Sequence, residues 1–134
     1  MDSMRSTKFT KPDEIIWSPN PALPAGSQEA IIRGDPSANE DYIIRVRVPA
    51  GTKVMPHSHP EDRVYTVISG EFMIGIGKSF NKDALQLLPR GSLIFLPGGT
   101  SHFQYSENEE YVIQIEGRGP ISTDYIDREN DPRG

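Results

Sequence analysis

The chain contains three histidines, at positions 57, 59 and 102, and two of them form the alternating pair His57-Ser58-His59. In an extended segment, residues i and i+2 project to the same side about 7 Å apart, so both imidazoles can converge on one ion from a single strand. A third ligand must arrive from elsewhere. His102 follows Pro97-Gly98-Gly99-Thr100-Ser101, a turn able to aim it back across a small barrel. Taken singly, each histidine reads as a surface or hydrogen-bonded core residue, and the spacing is what favours ligation. Three neutral imidazoles leave a divalent ion with open positions, the arrangement of a catalytic rather than a closed structural site. Imidazole donors suit Zn, Fe, Ni or Cu without choosing among them.

Short strands are the elements that must position these residues. Gly and Pro, twelve of each, limit helices along most of the chain, the longest stretch free of both running from Thr100 to Glu116, and an interior Pro costs a helix about 3 kcal/mol. Residues 42–48 (YIIRVRV) put Tyr42, Ile44, Val46 and Val48 on one face and Arg45 and Arg47 on the other, the period of a half-buried strand ended by Pro49-Ala50-Gly51. Further strands are expected at 29–33, 64–68, 71–76, 93–96, 102–105, 111–116 and 121–126, with Ser69-Gly70 as a hairpin turn. Many short strands separated by turn signals argue a sandwich or small barrel. The expected organisation is an extended N-terminal arm over 1–28, one barrel domain over 29–126 and a polar tail over 127–134.

Composition bounds the partners. With 134 residues the chain supports one domain with a real core, and 14 Lys and Arg against 19 Asp and Glu give a net charge of −5. That charge disfavours a binder of nucleic-acid backbone, which needs clustered cations. The absence of Cys removes disulfides, thiolate zinc sites and cysteine nucleophiles together. Met1 to Thr10 carries no apolar run of the signal-peptide kind. The expectation is a cytoplasmic protein with no membrane or nucleic-acid partner.

Read as a pattern, Gly51-x5-His57-x-His59 ends at Gly70, and Gly91-x5-Pro97-x-Gly99-x2-His102 follows. This resembles the two motifs of the cupin superfamily, across about residues 51–106. Gly34-Asp35-Pro36 before that stretch and Gln114 to Pro120 after it resemble small bacterial cupins of the conserved-barrel group, whose members do not share one reaction. The resemblance implies an all-β double-stranded β-helix, a jelly-roll barrel that holds a metal ion between its sheets. It also implies a small-molecule ligand or substrate and a homodimer.

Two departures from the pattern stand out. The first motif normally carries a Glu ligand four residues after its second His, where this chain has Arg63, and guanidinium cannot ligate a cation. The second commonly ends in Asn where Ser106 stands. Glu61 or Asp62 could replace the missing carboxylate, and a barrel that no longer binds metal is the other consequence of its loss. Arg63 either faces solvent or has its charge compensated by an anion. Facing the cavity, its planar fork would suit a carboxylate-bearing substrate.

Parity along the strands adds Tyr65, Gln104 and Gln114 to Arg63 as candidate substrate-binding residues. Other signals fail. Gly75-Ile76-Gly77-Lys78-Ser79 lacks the first glycine of a phosphate loop, and those glycines read better as a close backbone approach. Ser58 and Ser101 adjoin histidines, but strand neighbours face opposite sides, which argues against a Ser–His nucleophile. Glu107 to Glu110 reads as a solvated turn. The sequence therefore points to His57, His59 and His102 holding one divalent ion (Zn, Fe, Ni or Mn). The activity expected is that of a metal-dependent enzyme of oxygenase, isomerase or lyase type, with a non-catalytic ligand-binding or sensor barrel as the alternative.

Overall fold

The structure is a computed structural model that describes residues 6–134. Eleven strands appear in chain order: β1 Ser18–Pro19, β2 Gln28–Arg33, β3 Asp41–Val48, β4 Thr52–Ser58, β5 Arg63–Ser69, β6 Phe72–Ile76, β7 Gln86–Leu88, β8 Leu93–Leu96, β9 His102–Ser106, β10 Tyr111–Arg118 and β11 Asp124–Tyr125. The only helical pieces among the described residues are three single 3-10 turns, at Pro12–Glu14, Lys82–Ala84 and Arg128–Asn130. The strands form two antiparallel sheets, in the orders β1-β2-β3-β10-β5-β8 and β11-β4-β9-β6-β7. This is the all-β architecture that the strand spacing predicts, in the jelly-roll form that the resemblance implies.

The core lies between the sheets. β3 buries Tyr42, Ile44, Val46 and Val48, as its alternation requires. Its partner β10 contributes Tyr111, Ile113 and Ile115 from the facing register. Two outward residues of β3 are cationic: the Arg45 Nε donates to Gln114 at 3.0 Å and the Arg47 Nε to Gln28 at 2.6 Å. Arg47 also stacks 4.3 Å from the centroid of Trp17, which precedes β1 on the sheet edge.

Several local expectations are corrected. Ser69-Gly70 is not a hairpin turn, because β5 and β6 belong to different sheets and the chain turns a corner between them. Gly70 has φ +80° and presses against the Glu110 carbonyl, so no side chain fits. β4, which carries His57 and ends just before His59, is a full strand beyond the expected set, and β7 is a second. Within 121–126 only Asp124 and Tyr125 pair. Gly75 does mark a close approach, since a Cβ there would overlap the Phe103 ring.

Candidate metal centre

β4 and β9 are neighbours in the five-stranded sheet, and His57 stands directly opposite His102 in their register. The ladder slips between Val54 and His57, where Pro56 has no N–H to donate. Pro56 and His57 are both buried there, so the alternation of β4 is broken at the site itself. His59 lies just beyond β4, yet its ring centroid is 5.0 Å from that of His57. The other two centroid distances are 4.2 Å (His57 to His102) and 5.3 Å (His59 to His102). One ring nitrogen from each residue falls within 4.8 Å of the others.

Each ring is held through Nδ1. It lies 2.7 Å from the Met55 carbonyl for His57, 2.8 Å from that of Ser122 for His59 and 3.0 Å from that of Thr100 for His102. A carbonyl only accepts, so each Nδ1 carries the hydrogen and each Nε2 keeps its lone pair. The His102 Nε2 is buried with no hydrogen-bond partner, which is costly unless something occupies the lone pair. Burial, and then the neighbouring His102, lowers the His57 pKa to about 3. Burial lowers His102 to about 4. His59 is pushed down further still, by burial and then by the charge of Arg63. Three neutral rings with converging lone pairs fit a divalent cation.

A cavity of about 260 Å³ opens beside His57 and His59. Its apolar wall comes from Ile44 and Val46 of β3 and Ile113 and Ile115 of β10, and its polar groups include Arg63, Tyr65, Gln104 and Glu29. Three of the four residues expected at a bound molecule are therefore present. Gln114 is not. Because β10 buries Ile113 and Ile115, its period of two turns Gln114 to the outer face. There its oxygen accepts from Arg45 and its amide donates to Glu116 at 3.2 Å.

Arg63 faces inward, 5% exposed, and its compensating anion is internal. Its Nε lies 2.5 Å from Glu61 Oε2, which also accepts from the Tyr42 hydroxyl at 2.7 Å. The charge of Arg63 also acts on Tyr65, partly opposing the upward pKa shift that burial gives its hydroxyl. Asp62 accepts from the Gly98 N–H at 2.8 Å. Glu61 and Asp62 are thus committed elsewhere, and among the described residues the metal-ligating cluster consists of the three histidines alone. Ser106 has its own structural task, donating to the Pro49 carbonyl at 2.6 Å and accepting from the Thr52 N–H at 3.1 Å.

No protein-family model matches the chain. It is similar to Germin-like protein 1-2 of Oryza sativa subsp. japonica, 28% identical over 116 residues that cover 81% of this chain and 52% of that protein. The chain spans about half the length of that curated relative. Its fold superposes on the polyketide cyclase RemF from Streptomyces resistomycificus with a TM-score of 0.76 and 14% identity, covering 96% of this chain and 91% of that one. It also superposes on an RmlC-like cupin from Shewanella frigidimarina NCIMB 400, TM-score 0.65 and 16% identity, with coverage of 87% and 95%. The chain has the cupin fold.

In this cupin barrel, Asn20 to Leu23 from the expected arm and Arg133 from the expected tail line the site together with Ile121 to Thr123 from the end of the expected barrel domain. Ser122 supplies the carbonyl that orients His59. β11 pairs with Ser58 and His57, setting the Tyr125 ring 5.4 Å from that of His57. The Tyr125 hydroxyl donates to the Ala22 carbonyl at 2.6 Å, joining the two segments over the cavity. Arg133 is tied to Asp131 at 2.9 Å. The segment EAIIR shows no alternation that would mark Glu29 as facing inward. Its pairing opposite Val46 is what turns it inward.

Proposed function

We propose that this cupin binds one divalent metal ion through His57, His59 and His102 and acts as a metal-dependent enzyme on a small molecule held in the adjoining cavity. The observation that carries the reading is the common orientation of the three imidazoles: every Nδ1 is anchored to a carbonyl, and the lone pair of a buried Nε2 is left without a partner. Zn, Fe, Ni or Mn would be compatible with such donors. Bound there, the ion would supply Lewis acidity toward an oxygen of the substrate. The protein's own residues contribute the rest. Ile44, Val46, Ile113 and Ile115 hold the apolar part of the molecule away from water, while Tyr65 and Gln104 orient its polar atoms.

The carboxylate-bearing substrate expected from Arg63 loses support, since Glu61 already compensates that charge. RemF is called a polyketide cyclase, and the likeness adds support for small-molecule chemistry in a barrel of this shape. Ile76, Leu87, Leu93 and Phe95 are exposed apolar residues that would suit burial in a homodimer, and light scattering checks that part. No helix among the described residues is long and apolar enough to cross a membrane.

Elemental analysis tests the central claim. Protein purified without added metal should hold close to one ion per chain, and Ala at any one of the three histidines should empty it. Unchanged metal content in all three variants would discard the reading.

A further inference from the structure

We propose that Glu29 is the proton-exchanging residue of the cavity, a carboxylate that takes a proton from a molecule held at the three histidines and returns it. The inference rests on the metal-centre reading above and goes beyond it by naming the group that handles protons.

Among the described residues, Glu29 is the only carboxylate in the cavity lining. It sits on β2 in one sheet, whereas His57, His59 and His102 come from β4, its end and β9 in the other, so a molecule filling the space lies between them. The charged and titratable groups around that space are His57, His59, Arg63, Tyr65 and Arg133. Each cation there has its own carboxylate, Arg63 with Glu61 and Arg133 with Asp131. Glu29 makes no ion pair with any described residue. Its Oε2 accepts from the Asn20 side-chain amide at 3.1 Å, which fixes the carboxylate's orientation and leaves Oε1 for a ligand.

Elimination strengthens the assignment. The three imidazoles have Nδ1 committed to carbonyls, and with an ion bound each Nε2 would be its ligand, so none would be left to carry a proton. Arg63 has no acceptor. Tyr65 is buried, which pushes its hydroxyl pKa upward and keeps it protonated. Burial also raises the Glu29 pKa, partly opposed by the charge of Arg63. That shift brings the group closer to the working range of a general base. In the step, Glu29 accepts a proton from an O–H or C–H of the molecule and becomes a neutral acid. The bonding pair stays on the molecule, and the proton is delivered to a second atom of it, so no other reactant is consumed. This is the balance of an isomerisation or an intramolecular ring closure.

The test uses acetohydroxamic acid as the probe, a small acid that chelates zinc through two oxygens as its anion. Calorimetric titration of the zinc-loaded protein at pH 7, in two buffers of different protonation enthalpy, counts the protons released per probe bound. The Glu29→Gln variant should bind zinc as wild type does but release about one proton more, because no carboxylate is present to take it up. Equal proton counts would overturn the proposal. Protein that holds no zinc would instead defeat the metal-centre reading, and the carboxyl titration of Glu29 followed by 13C NMR in metal-free wild type then decides for Glu29 alone. A midpoint above that of an ordinary glutamate supports it. A midpoint at or below the ordinary value refutes it.

Discussion

Arg63 and Glu61 form an ion pair with both side chains at least nine-tenths buried, 5% and 10% exposed. The Tyr42 hydroxyl donates to the same carboxylate oxygen, while Glu61 Oε1 is buried without a partner. Removing one member of such a pair strands the other charge. Arg63→Met is therefore expected to lower stability in chemical denaturation by about 3–5 kcal/mol, and adding Glu61→Gln should restore most of it. A single variant as stable as wild type would show that the pair is solvated in solution.

Tyr125 joins the terminal segments over the site, with its ring near His57 and its hydroxyl on the Ala22 carbonyl. Tyr125→Phe keeps the ring and deletes one hydrogen bond, so it should cost about 1 kcal/mol and leave metal affinity close to wild type. Tyr125→Ala also loosens β11 and the neighbouring Ser122 carbonyl that orients His59. Loss of such an orienting group weakens metal binding by about 10- to 100-fold. Competition with a zinc-binding dye reads the difference. Equal affinities in the two variants would mean that the segment does not steady His59.

Glu29 gives a pH prediction of defined sign. Its folded pKa is raised above the unfolded value of 4.5 by burial, so the folded state holds the proton more tightly. The corresponding stability is fully present below the unfolded pKa and is lost as pH rises through the folded pKa. Glu29→Gln should consequently stabilise the metal-free protein at neutral pH, and the advantage should shrink as pH falls toward 4. Paired thermal melts across that window check it. A gain that stayed constant with pH would place the carboxylate in free solvent.

What could be read from the residues follows from what periodicity encodes. The alternation in 42–48 identified the inner face of β3, and the apolar pair Ile113 and Ile115 identified that of β10. The same rule should have excluded Gln114, whose neighbours on both sides are buried. The histidine spacing was legible, but the bulge at Pro56 that delivers His57 was not, because a slipped register leaves no pattern in one strand. Glu29, Ser122 and Tyr125 were hidden for a different reason. Each is placed by pairing or packing with segments distant in sequence: β3 for Glu29, His59 for Ser122, and β4 and Ala22 for Tyr125.

Metal removal supplies the last prediction. A ligand that binds only the folded state stabilises it by RT ln(1 + [L]/Kd), about 4 kcal/mol when the free ion exceeds Kd a thousandfold. For a chain of 134 residues that corresponds to a rise in Tm of about 10–15 °C. Zinc added to the metal-free protein should produce such a shift and a chelator should reverse it. His102→Ala is the sharpest control, because His102 carries the orphaned Nε2 and is fully buried opposite His57. Its substitution also alters packing, so the quantity to compare is the zinc-induced shift within each variant rather than the absolute Tm. That shift should fall to a few degrees or less in His57→Ala, His59→Ala and His102→Ala alike, since two imidazoles do not make the three-ligand set. A full-sized shift in all three would mean that zinc stabilises the barrel from another site, and the convergence of the three rings would then need a different explanation.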